Sequence, residues 1–121
     1  MSNKFHKKER LCSKKQIDLL FAKGLSKSAY PVKLISLEGV NSGKQEVKAM
    51  FVVPKKKFKN ATDRNKLKRR MREAYRLEKA AFYLTAGNTN LNLAFLYYAS
   101  KPEDYLTIFK AIKKLLTPVQ P

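Results

Sequence analysis

Of the chain's 27 lysines and arginines, eleven lie between Lys55 and Arg76, opposed there only by Asp63 and Glu73. This segment carries half of the formal charge of +18 in less than a fifth of the 121 residues. Lys55, Lys56, Lys57, Lys59, Arg64, Lys66, Lys68, Arg69, Arg70, Arg72 and Arg76 are cations without a matching set of anions. A merely solvated helix alternates signs, because Glu–Lys pairs four residues apart stabilise it by about 0.2–0.5 kcal/mol each. On a helix Arg64, Lys68 and Arg72 stack at i, i+4 and i+8, and Asn65, Arg69 and Arg72 or Arg76 form the adjacent row. Such self-repulsion is relieved when phosphates sit on the face, which makes these eleven residues and Asn65 the candidate RNA-binding set. The arginine forks can grip a phosphate with two parallel bonds, whereas lysine acts as a point charge. Free N–H groups at the helix start favour an anion there as well.

Other chemistries find little support. One cysteine, Cys12, allows no internal disulfide, and with the single histidine, His6, builds no zinc site. No nucleophile–base pair or carboxylate cluster stands out, so neither catalytic side chains nor metal ligands are expected from the protein. A helix-turn-helix partner and a leucine zipper are missing around the basic segment, which argues against base-edge reading of DNA. No apolar run approaches the roughly 18 residues of a membrane span, and the start of the chain has no apolar targeting core. A reduced, cytoplasmic protein follows, folded as one RNA-binding domain over 1–121, with 1–10 as a flexible basic arm. At 44% hydrophobic and 11% aromatic residues the chain has the means to bury a core.

The elements that position the cations are legible from periodicity. Ser13-Lys14-Lys15-Gln16 has capping-box form, Ile17, Leu20 and Phe21 follow at helical spacing, and Gly24 stands where a short first helix would end. Tyr30 to Val40 and Gln45 to Val53 read as strands, and Asn41-Ser42-Gly43 between them predicts an antiparallel hairpin. In the second of these, Val47, Ala49, Phe51 and Val53 share one face. A long helix capped by Thr62 or Asp63 carries an apolar stripe of Leu67, Met71, Ala74, Tyr75 and Phe82. Leu91 to Ala99 predicts a buried strand in which Tyr97 and Tyr98 point to opposite faces. Ser100-Lys101-Pro102-Glu103 predicts a cap for a last helix with Tyr105, Ile108, Phe109, Ile112, Leu115 and Leu116 at helical spacing. The expected fold is an α+β sandwich in the order α-β-β-α-β-α, with the basic helix as the crossover to the final strand.

Val53-Pro54-Lys55-Lys56 and the run from Asn60 to Arg76, with its R-N-x-x-K-R-x-x-R core, resemble the signature of the bacterial ribonuclease P protein component. Phe5, Lys7, Arg10 and Leu11 match the opening of that family, and Phe21 with Gly24 fits the end of its first helix. The resemblance implies the protein subunit of a ribonucleoprotein endonuclease, which removes the 5′ leader from precursor tRNA. Magnesium held mainly by the partner RNA would carry the hydrolysis, with no obligate protein partner. It also implies a left-handed βαβ crossover, and contacts to the catalytic RNA from Arg64, Asn65, Lys68, Arg69 and Arg72. The family's cleft for the single-stranded leader maps here to Ile17, Phe21, Ile35, Val52 and Lys55, with Tyr30 as a substitute aromatic. Lys66 replaces the second arginine of the family's R-N-R triplet and loses its fork, while Thr62 replaces a valine. A stand-alone RNA-binding or ribosome-associated module is the alternative reading.

Overall fold

The computed structural model describes residues 11, 14–38, 47–86 and 91–116. Within them run α1 (Lys14–Lys23), β1 (Leu25–Ala29), β2 (Val32–Glu38), β3 (Val47–Val52), α2 (Ala61–Ala86), β4 (Leu91–Tyr97) and α3 (Tyr105–Leu116). The α+β architecture stands, with one strand more than the periodicity predicts. That strand, β1, has the sequence Leu-Ser-Lys-Ser-Ala, poor in branched and aromatic residues. It lies at the sheet's edge, where a short strand bearing lysine discourages pairing with another chain.

The four strands are ordered β1-β2-β4-β3. β2 runs antiparallel to both β1 and β4, and β3 runs parallel to β4. The expected hairpin between the second and third strands is therefore absent. β2 forms its tight turn with β1 through Tyr30-Pro31, and β4 inserts between β2 and β3. The physical reason lies in β4, whose residues from Asn92 to Phe95 are all buried and need cover on both edges and both faces. A parallel β3–β4 pair requires a helix-length crossover, and α2 supplies it. Asn41-Ser42-Gly43, the arm 1–10 with His6, and Cys12 and Ser13 lie outside the described residues.

Helices α2 and α3 cover one face of the sheet. Leu67, Met71, Ala74 and Tyr75 of α2 meet Ala49, Leu93, Phe95 and Tyr97 of the strands in one cluster, which Ile108, Ile112 and Leu115 of α3 complete. Phe51 stacks on Phe95 at 5.2 Å, and Tyr75 lies 5.5 Å from the same ring. The apolar stripe predicted for α2 is thus the core stripe; the side chain of Phe82 falls outside the described ones. On the opposite face α1 lays Leu20, with Ile17 beside it, over Ala94, Ile35, Leu37 and Met50.

Local signals differ in two caps. Asn60, not Thr62 or Asp63, starts α2: its Oδ1 accepts from the Thr62 N–H at 2.9 Å. Asparagine caps as well as aspartate, and the chain turns helical at Ala61. Asp104 rather than Ser100 caps α3, accepting from the Thr107 N–H at 2.9 Å. The Thr107 side-chain hydrogen bond, together with that backbone bond, holds the Asp104 carboxyl below the usual carboxylate range.

Gly24 ends α1 by donating its N–H to the Leu20 carbonyl at 2.8 Å. A Cβ there would stand 2.4 Å from that carbonyl oxygen and 2.6 Å from Ile35 Cγ2. Glycine is required by the close approach of α1 to β2. Gly24→Ala is expected to cost about 1–3 kcal/mol, the usual penalty of overpacking, measured by urea unfolding. An unchanged midpoint would show that α1 tilts away freely.

Candidate nucleic-acid interface

α2 presents three sides. Leu67, Met71, Ala74 and Tyr75 face the sheet, while Asn65, Lys66 and Arg69 are exposed. Arg64, Lys68 and Arg72 form a half-buried row along one flank. The loop Lys55–Lys59 approaches the same helix start, with Lys55, Lys56, Lys57 and Lys59 exposed and Phe58 buried as its anchor. Phe58 meets Tyr97 edge-on at 5.7 Å, which fixes the cationic loop to the core.

Not all the predicted cations are equal. The Arg64 guanidinium donates to the Phe58 carbonyl at 2.7 Å and to the Lys59 carbonyl at 3.0 Å, tying loop to helix. Arg70 donates to the Glu103 carbonyl at 2.7 Å, on the α3 side of the helix. Arg76 pairs with Glu73 one turn before it, and that bond lowers the Glu73 carboxyl. Lys57 donates to the Tyr98 carbonyl. Among the described residues no such side-chain partner holds Lys66, Lys68, Arg69 or Arg72. These four, with Asn65 and the loop lysines 55, 56 and 59, are the groups available to an outside anion. Positioning is the visible role of Arg64, Arg70 and Arg76.

Of the predicted leader residues, Ile17, Phe21, Ile35 and Val52 fall on the face opposite α2. Ile17 and Ile35 are half-buried under α1 in the smaller cluster, so they serve the core as well as any cleft. Phe21 projects from α1 with 44% exposure. Register places Lys33, Leu96 and Val52 in one row across β2, β4 and β3. All three are half-buried and form a floor beyond the residues that α1 covers. Lys55 leaves the end of β3 just past that row. Tyr30 stands apart, in the β1–β2 turn at the sheet's end, with its ring 5.9 Å from that of Tyr98.

A group invisible to sequence reading surrounds Tyr30. Its hydroxyl donates to Glu103 Oε2 at 2.9 Å, and this bond holds the hydroxyl above the usual tyrosine range. Glu103 donates its N–H to the Tyr97 hydroxyl, which in turn donates to the Lys101 carbonyl, both at 2.7 Å. Tyr97 points into the core and Tyr98 outward, as the strand's alternation predicts. No spacing signal could have linked Tyr30 to Glu103, which are 73 residues apart.

Burial pushes the Tyr97 hydroxyl from 10.0 up to about 12. The protonated phenol therefore contributes stability in full below pH 10, and that contribution is lost as pH rises towards 12. Tyr97→Phe is expected to lose about 1–3 kcal/mol at neutral pH, because Glu103 N–H and Lys101 C=O are left without their partner. Urea midpoints from pH 7 to about 12 check this: the variant should lack this loss of stability between pH 10 and 12.

Among the described residues no three His, Cys, Asp or Glu side chains converge to hold a metal ion, and no helix is long and apolar enough to cross a membrane.

The solved structures of similar fold include a mutant ribonuclease P protein from Staphylococcus aureus, with a TM-score of 0.75, 22% identity and coverage of 91% of this chain and 86% of that one. The ribonuclease P protein from Thermotoga maritima superposes with a TM-score of 0.71 at 24% identity, over 93% of this chain and 99% of that one. A curated relative, the ribonuclease P protein component of Porphyromonas gingivalis, is 30% identical over 91% of this chain and 82% of its own length. The sequence model of the Ribonuclease P family matches residues 5–119. With fold, cationic helix and near full-length match in agreement, the chain belongs to the ribonuclease P protein component family.

Proposed function

We propose that this chain is the protein subunit of a ribonuclease P particle that docks on the catalytic RNA through α2 and receives the 5′ leader of precursor tRNA on the opposite sheet face. The observation that carries the reading is the row of cations on α2 and its loop that have no internal partner and no matching anions. A structured RNA backbone supplies phosphates at the density such a face needs. Lys55, Lys56, Lys57, Lys59, Arg64, Asn65, Lys66, Lys68, Arg69, Arg70, Arg72 and Arg76 make up that side, with Arg64, Arg70 and Arg76 shaping it. Ile17, Phe21, Ile35, Val52, Lys55 and Tyr30 make up the leader side.

By the family resemblance the hydrolytic magnesium is assigned to the RNA, and no protein group is given a part in bond cleavage. The protein's contribution is electrostatic: it offsets phosphate repulsion between two RNAs and adds contacts to the leader. A cytoplasmic location and the lack of an obligate protein partner belong to the same proposal.

Cleavage of a 5′-extended precursor tRNA by a bacterial ribonuclease P RNA at low magnesium, with and without the protein, tests it. Stimulation that grows with leader length is expected. Tight RNA binding without stimulation would overturn the reading in favour of a separate RNA-binding module, and cleavage by the protein alone would overturn the assignment of chemistry to RNA.

A further inference from the structure

We propose that Tyr30 and Tyr98 form a preorganised stacking platform for one unstacked base of single-stranded RNA at the end of the sheet, with Glu103 as its positioning residue. The inference rests on the leader reading above and adds a subsite to it, beyond the floor of Lys33, Leu96 and Val52.

Exposure is the first argument. Tyr30 is 53% exposed and Tyr98 37%, two large aromatic side chains side by side at the surface. Their rings meet nearly at right angles, 82° between planes, so the pair takes up no more than one face of one ring. A third ring can lie on such a face, in the offset or edge-on arrangements aromatic groups prefer.

Fixation is the second. Tyr98 donates its N–H to the Pro31 carbonyl at 3.0 Å and accepts Lys57 at its own carbonyl, so its backbone is held from both sides. The Tyr30 ring is held at its far end by the Glu103 carboxylate, 2.9 Å away. Glu103 is itself fixed through its N–H by Tyr97 and through its carbonyl by Arg70 of α2. Side-chain freedom that a base would otherwise have to freeze is already removed in the folded protein. Through Arg70 the platform is also tied to the helix proposed to dock on the catalytic RNA.

Charge selects the occupant. Lys110 and Lys114 of α3 line a cavity with Tyr30, Lys57 and Lys101 flank the pair through bonds of their own, and Lys33 of β2 lies opposite Leu96, just before Tyr97 and Tyr98 in the chain. Glu103, the carboxylate that touches the pair, is taken up by Tyr30 and by Lys101 at 3.9 Å. A cationic ligand is disfavoured by this surround, while a base with its phosphates satisfies both the ring faces and the lysines. A duplex keeps its bases stacked on one another, so the occupant is a single strand.

The test measures affinity of the assembled ribonucleoprotein for precursor tRNAs with leaders from one to about ten nucleotides, for the native protein and Y98A, Y98F, Y30A, Y30F and E103A. Loss of a stacking ring should weaken long-leader binding about tenfold in Y98A and Y30A, while Y98F keeps native affinity. Y30F and E103A should lose several-fold although every ring remains, because the ring is no longer held; a purely structural role would weaken one-nucleotide and long-leader binding alike. Wild-type affinity that rises with leader length and is retained by Y98A and Y30A overturns the platform while the leader reading stands. Absence of any leader dependence in the native protein overturns the leader reading; unchanged binding of a free single-stranded oligonucleotide by Y98A then overturns the platform too. A loss seen equally with one-nucleotide leaders, and in affinity for the RNA subunit, overturns the leader as the source of the base.

Discussion

Replacing Lys68, Arg69 and Arg72 together by alanine is expected to lower affinity for ribonuclease P RNA on the order of a hundredfold to a thousandfold near physiological salt. Hydrogen bonds to charged groups contribute about 1.5–3 kcal/mol each, and neighbouring groups on one face contribute less than their sum. The magnitude follows from depriving three phosphates of their cations at once. Salt dependence gives a second readout. For about six phosphate contacts the native affinity should fall roughly a thousandfold between 50 and 200 mM salt, and the triple variant should flatten the log–log slope by about 3. Stability should barely change, since these side chains have no internal partner among the described residues. An unaltered slope would show that α2 is not the docking face. Arg70→Ala is the contrasting variant: its guanidinium holds the Glu103 carbonyl, so it should weaken leader-dependent binding more than docking.

The largest stability effect is expected for Phe95→Ala. Phe95 is fully buried in the central strand and lies against both Phe51 and Tyr75, joining β3, β4 and α2 in one aromatic cluster. Truncation of a buried phenylalanine costs about 3–5 kcal/mol, because the transfer free energy is lost and the surroundings close the cavity only in part. Domains of this size hold about 5–15 kcal/mol in total, so the thermal midpoint should drop roughly 10–20 °C. Phe95→Leu should recover most of the loss. A drop below about 1 kcal/mol would mean that the α2–sheet interface repacks without this ring.

The helices, the central strand and the cationic face of α2 were legible in the sequence because each is a local matter. A helix declares itself by 3.6-residue periodicity, and the stripe Leu67-Met71-Ala74-Tyr75 faces the sheet as that period requires. Phosphate-binding character is a property of net charge on one face, which the run from Lys55 to Arg76 carries without help from elsewhere. The V-P-K-K and R-N-x-x-K-R segments likewise identified the family.

Only the tertiary structure decided the partners. Whether β3 lies beside β2 or across from it depends on which strand best covers β4, and that energy comes from packing between residues far apart in the chain. β1 escaped notice because its Ser and Lys residues have little strand character of their own; it is stabilised by pairing with β2 and by Ala29 against the core. The same holds for individual side chains. Arg64 and Arg69 look alike in the signature, yet one ties down its own loop and the other faces solvent. Tyr30 could be read only as a spare aromatic until Glu103, 73 residues away, was found holding its hydroxyl. Sequence by itself determined composition, periodicity and charge, and hence the helices, the central strand and the family with its RNA partner. Folding decided which cations remained free, since hydrogen bonds and packing form between neighbours in space and not between neighbours in the chain.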